Sequence, residues 1–143
     1  MIGAGKTILL KRMMKRLNKK TTCISLPFTN LEGKELFQYV AEEAGIQVSN
    51  DSKVGLIFAL KKYFFDELNN GRPCVLVIDE SQNLSSENLE YLRMLAGLEA
   101  GDKPLLRVVM LGQPEFMDKV NSFEQLKQRV KLHNPKLKCL VWL

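Results

Sequence analysis

Cys74-Val75-Leu76-Val77-Ile78-Asp79-Glu80 is the stretch on which the reading of this chain turns. Five consecutive apolar residues, three of them β-branched, read as a strand buried on both faces of a sheet, because a half-exposed strand would alternate with polar residues. Two adjacent carboxylates follow at its C-terminal end. In open α/β sheets, ligands collect outside the carboxyl ends of the strands. Neighbouring side chains on a strand point to opposite faces, but the turn beyond Ile78 frees the second carboxylate to swing inward. The bland alternative is a solvated Asp-Glu turn.

Working outward, strand and helix patterns alternate. Upstream, Asn69-Asn70-Gly71-Arg72-Pro73 is a strong stop signal. It ends a helix expected to carry Val54, Ile57, Phe58, Phe64, Phe65 and Leu68 on one face. Before that, Thr29 with Glu32 reads as a capping box. Leu36, Phe37, Val40, Ala41 and Ala44 follow at helical spacing up to a stop at Gly45. Thr22 to Leu26 is a short strand closed by Pro27. Leu9, Leu10, Met13, Met14 and Leu17 predict a first helix with lysine and arginine on its other side. Downstream, Ser85 is the expected N-cap of a helix with Leu89, Leu92, Leu95 and Ala96 inward, and Leu84 with Leu89 forms a hydrophobic staple. Leu105 to Leu111 is the next buried strand, followed by helices over Pro114–Val120 and Phe123–Val130. This alternation predicts a parallel sheet covered by helices in one α/β unit.

Composition narrows the class. The chain has 143 residues, 45% of them hydrophobic and 26% charged, enough for one domain with a real core. No apolar run reaches a membrane-spanning length, and no secretory leader pattern follows Met1, so a cytoplasmic protein is expected. Cys23, Cys74 and Cys139 are scattered and odd in number, which argues against a disulfide framework or a zinc site. The net charge of +5 is concentrated: residues 1–20 contain seven lysines and arginines and no acid. Such a patch faces either phosphate, of nucleotide or nucleic acid, or simply water.

The second chemical motif opens the chain, as Met1-Ile2-Gly3-Ala4-Gly5-Lys6-Thr7. It matches seven of the eight positions of the phosphate-binding loop G-x-x-x-x-G-K-[ST], lacking only the leading glycine. Backbone N–H groups of Gly3, Ala4 and Gly5 would line a concave anion nest at the start of a helix. Lys6 would reach the β- and γ-phosphates, and Thr7 would offer a hydroxyl to Mg²⁺. Beside such a loop, Asp79 becomes a Mg²⁺ holder and Glu80 the group that orients or deprotonates an attacking water. A kinase-like protein would instead need a hydroxyl-bearing substrate and an arginine-rich lid. The pair therefore favours ATP hydrolysis.

Two further residues carry weaker signals. Gln113, ending Val108-Val109-Met110-Leu111-Gly112-Gln113-Pro114, reads as a sensor of the γ-phosphate or as a polar strand end before a proline-started helix. Arg129, in Glu124-Gln125-Leu126-Lys127-Gln128-Arg129, reads as an arginine finger reaching a neighbour's nucleotide or as a surface helix arginine.

Taken together, Gly-Ala-Gly-Lys-Thr, Val-Leu-Val-Ile-Asp-Glu-Ser-Gln-Asn-Leu and Val-Met-Leu-Gly-Gln-Pro-Glu-Phe resemble the AAA+ ATPases of the general secretion pathway protein A type. ATPases that assist transposition share the layout. The resemblance runs from Met1 to about Val130 and implies a P-loop NTPase three-layer sandwich with a parallel sheet. It matches Lys6 and Thr7 to Walker A, Asp79 and Glu80 to Walker B, Gln113 to sensor 1 and Arg129 to a finger. It implies ATP with Mg²⁺, a homo-oligomer in the intact protein, and coupling to assembly of a secretion complex. The runner-up reading is a nucleotide-dependent DNA-binding helper, and a third is an inactive remnant. Relatives of this type place a hydrophobic strand before the loop and a helical lid after the finger. Residues 1–133 are therefore expected to form a partial core lacking both, with open edges beside the missing strand, and residues 134–143 a divergent tail.

Overall fold

The structure is a computed structural model that describes residues 19–26, 31–49, 52–129, 132–134 and 140–142, together with Ile8, Arg12, Lys15 and Arg16. The expected phosphate loop, Gly3 to Thr7, lies outside the described residues. Ile8, Arg12, Lys15 and Arg16 are helical and exposed, at the spacing of one solvent-facing stripe.

The elements run β1 (Thr22–Leu26), α1 (Lys34–Glu43), α2 (Lys53–Asn69), β2 (Cys74–Ile78), a 3₁₀ turn (Ser81–Asn83) and α3 (Ser86–Ala96). A two-residue hairpin follows, β3 (Glu99–Ala100) with β4 (Lys103–Pro104), then β5 (Leu106–Leu111), α4 (Glu115–Asn121), α5 (Glu124–Arg129), β6 (Leu132–Asn134) and β7 (Leu140–Trp142). The main sheet has the order β1-β2-β5-β7-β6. β1, β2 and β5 are parallel, in the registers Ile24↔Leu76 and Leu76↔Val108. β7 runs antiparallel to β5, and β6 antiparallel to β7.

The crossovers explain this order. Parallel neighbours need a long connection, supplied between β1 and β2 by α1 and α2, and between β2 and β5 by α3. β2 is buried along its whole length, as its unbroken apolar run requires. Alternation then divides the sheet. Ile24, Leu26, Leu76, Ile78, Val108 and Met110 join Leu36, Phe37, Leu60, Phe64, Leu92, Phe116 and Leu126 in the larger core. Val75, Val77, Val109 and Leu111 form a smaller cluster on the opposite face.

Two expectations change in three dimensions. Of the α2 residues expected inward, Phe64 is buried and Ile57 and Leu68 are half-buried, whereas Val54, Phe58 and Phe65 stand exposed; the buried side is instead Leu56, Leu60 and Phe64. Apolar residues occupy more of this helix than one stripe, so periodicity alone does not choose the inward side. The edge of β5 expected to stand open beside a missing strand is instead paired at Val109, Met110 and Leu111 with β7. That pairing satisfies backbone groups that an open edge would expose.

Candidate functional site

The carboxyl ends of β2 and β5 lie side by side because the two strands pair in register up to Ile78↔Met110. Asp79 and Glu80 leave β2, and Gly112 and Gln113 leave β5, at the same rim of the sheet. Both carboxylates are half-buried. The Glu80 backbone N–H donates to Asp79 Oδ1 at 2.8 Å. Glu80 itself adopts a left-handed backbone conformation, with φ of 51°, unusual for a residue with a side chain. Such a conformation persists where the surroundings over-determine it, and it clusters at functional sites.

The surroundings that hold it are visible. Ser81 is fully buried, and its hydroxyl donates to the Ile78 carbonyl at 3.2 Å, folding the chain back over the strand end. Lys119 of α4 donates from Nζ to the carbonyls of Gln82 and Leu84, at 3.1 and 2.8 Å. A cation at the carbonyl end of a helical turn satisfies acceptors that the turn leaves unpaired. Gln82 then spans the rim: its amide group donates to Glu80 Oε2 at 2.5 Å, and its carbonyl accepts from the Gln113 backbone N–H at 3.0 Å.

The structure thus brings Asp79, Glu80 and Gln113 together. Gly3, Ala4, Gly5, Lys6 and Thr7 lie outside the described residues. Arg129 closes α5, a helix packed against α3 and α4, and its side chain is outside the described set. Gln82 and Lys119 were not singled out from sequence. A glutamine four residues after a strand has no periodic signature, and Lys119 reads as an ordinary helix lysine until its carbonyl partners are seen.

The donors at this rim are carboxylate and amide oxygens, the hard ligands that suit Mg²⁺ rather than soft metals. Among the described residues, no cluster of three or more His, Cys, Asp or Glu could hold a metal by itself. Mg²⁺ takes one or two carboxylates and completes its shell with substrate phosphate and water. A groove lined by Gln38, Ala41, Ile46 and Leu56 lies away from the carboxylates. Among the described residues, no helix is long and apolar enough to cross a membrane.

Comparison with known proteins agrees with this architecture. Residues 2–120 match the family model described as AAA domain, and the chain belongs to that family. The chain is similar to general secretion pathway protein A of Aeromonas hydrophila, 30% identical over 132 residues. That match takes in 90% of this chain and 24% of the relative, so the chain spans about a quarter of that protein's length. Among solved structures, it resembles the Aeropyrum pernix ORC2 protein in its ADPNP-ADP complexes, with a TM-score of 0.56 and 15% identity over 95% of this chain and 36% of the other. At that identity the likeness concerns the fold alone: an α/β P-loop NTPase fold.

Proposed function

We propose that the chain is the nucleotide-binding core of a AAA+ ATPase that binds and hydrolyses ATP. The observation that carries this reading is the convergence of Asp79, Glu80 and Gln113 at one rim of a parallel sheet in an AAA-family chain. Carboxylates at that rim meet a ligand approaching the strand ends, where an attacking water is best oriented.

In this reading, Gly3, Ala4 and Gly5 turn backbone N–H groups toward the phosphates, and Lys6 supplies a positive charge to them. Thr7 and Asp79 are the residues that would hold Mg²⁺. When bound, Mg²⁺ supplies positive charge against the phosphate oxygens and lowers the cost of charge developing on them. Glu80 accepts a proton from the water that attacks the γ-phosphate, and Gln113 donates from its side-chain amide toward that phosphate or water. Arg129 is assigned to a neighbouring subunit's site, which gives an oligomer a role in turnover. Similarity to a secretion-pathway relative supports coupling of turnover to assembly or remodelling of a protein complex.

The test is Glu80→Gln. This isosteric change removes the proton acceptor and keeps the shape, so nucleotide binding should persist while turnover falls by about a hundredfold or more. Turnover equal to the parent's would overturn the role given to Glu80, and loss of binding as well would show that Glu80 acts on affinity instead.

A further inference from the structure

Gln82 lies in the one-turn 3₁₀ segment directly after Glu80, and its side chain is bonded at both ends. Chemistry fixes which end is which. The Gln113 backbone N–H can only donate, so it must face Gln82 Oε1, and a carboxylate can only accept, so it must face Nε2. The planar amide therefore ties Glu80 Oε2 to the backbone at the end of β5, two strand ends joined through one side chain.

Three neighbours keep that amide in place. A Cβ built on Gly112 would fall 3.1 Å from Gln82 Oε1, 3.2 Å from Gln82 N and 3.2 Å from Phe116 Cβ. A side chain at this position would press on the bridge, so that its neighbours had to give by a few tenths of an ångström. Lys119 fastens the Gln82 carbonyl from α4. The left-handed backbone at Glu80 starts the turn that carries Gln82 back across the rim.

We infer that Gln82 is a positioning residue for hydrolysis: it holds one carboxylate oxygen of Glu80, leaving the other for a water proton, and sets Glu80 in register with Gln113. This rests on the ATPase reading above. A carboxylate that wanders by an ångström loses alignment with its water, and such misplacement costs rate more than affinity. The bridge also makes the position of Glu80 depend on the β5 end, so a shift at Gln113 reaches the proton acceptor through a single amide.

Two substitutions separate the halves of the bridge. Gln82→Ala removes both bonds. Gln82→Glu keeps an oxygen for the Gln113 N–H but replaces the donor facing Glu80 with a like charge. The full chain and both variants are compared by steady-state ATP turnover, by binding of ADP, and by hydrogen exchange at the Gln113 amide. Both variants should lower kcat by about tenfold or more, with KM and ADP affinity within about twofold of the parent. Exchange at Gln113 should speed by about fivefold in Gln82→Ala and stay near the parent rate in Gln82→Glu. A kcat within twofold of the parent in both variants overturns the positioning role, as does a change confined to KM. A parent that binds ADP but never turns over ATP overturns the hydrolysis reading, and the positioning role falls with it. In that case unchanged Gln113 exchange in Gln82→Ala overturns the bridge itself, while accelerated exchange upholds the bridge as a structural link only.

Discussion

Asn88 is 1% exposed, and both described bonds of its side chain go to the backbone. Its Oδ1 accepts from the Gly33 N–H at 3.2 Å, and its Nδ2 donates to the Leu31 carbonyl. Its own N–H donates to Ser85 Oγ at 3.1 Å, the N-cap bond of α3 that the sequence predicts. One side chain thus sutures the segment entering α1 to the start of α3. Asn88→Ala leaves a buried donor and a buried acceptor unpaired, which should cost about 1–3 kcal/mol in urea unfolding. A loss below a few tenths would mean that water replaces the amide. At this scale the sequence was partly legible. Asp79, Glu80 and Gln113 stand out because they end apolar runs. Asn88 and Gln82 do not, because their partners lie 55 and 31 residues away in the chain. Cys74 was read as a core residue, and burial pushes its thiol up to about 12, as an inert neutral group requires.

Within elements, α2 is the informative case. Its ends follow local rules. Ser52 caps the start through its hydroxyl, which accepts from the Gly55 N–H at 3.1 Å. Gly71 closes the end with φ of 74°, letting Arg72 N–H reach the Glu67 carbonyl at 2.8 Å. Which side faces inward is decided by packing against the sheet and α1. Phe64→Ala should cost about 3–5 kcal/mol by opening a cavity in the core. Phe58→Ala, on a side chain 66% exposed, should change stability by no more than about 0.5 kcal/mol. Equal losses in paired urea melts would contradict the orientation described for the helix.

Across the whole molecule, the first strand is latched to the element before the second. The Thr22 hydroxyl donates to Glu67 Oε2 at 2.8 Å, and Arg72 grips the same carboxylate through Nε at 3.0 Å and a second nitrogen at 2.8 Å. The Arg72 bonds, followed by the Thr22 bond, hold the Glu67 carboxyl below its ordinary value of 4.5. A carboxyl depressed by folding contributes stability that is fully present above the unfolded value and is lost as pH falls through the folded one. Urea midpoints of the parent and Glu67→Gln should therefore differ at neutral pH and draw together as pH falls below 4.5. A gap that stays constant down to pH 3 would show that the latch works without its charge.

The sequence by itself determined the order β1, α1, α2, β2, α3, β5, α4 and α5, the burial of β2, the stop at Gly71 and the release of two carboxylates at a strand end. These follow from spacing and backbone preference, which act over a few residues. The tertiary structure alone decided which side of α2 faces out, that Leu140–Trp142 pairs with β5, and that Gln82 joins Glu80 to Gln113. Each of those outcomes is a choice among partners distant in sequence. Burial and hydrogen bonding select the partner only once the sheet has brought the competing surfaces together.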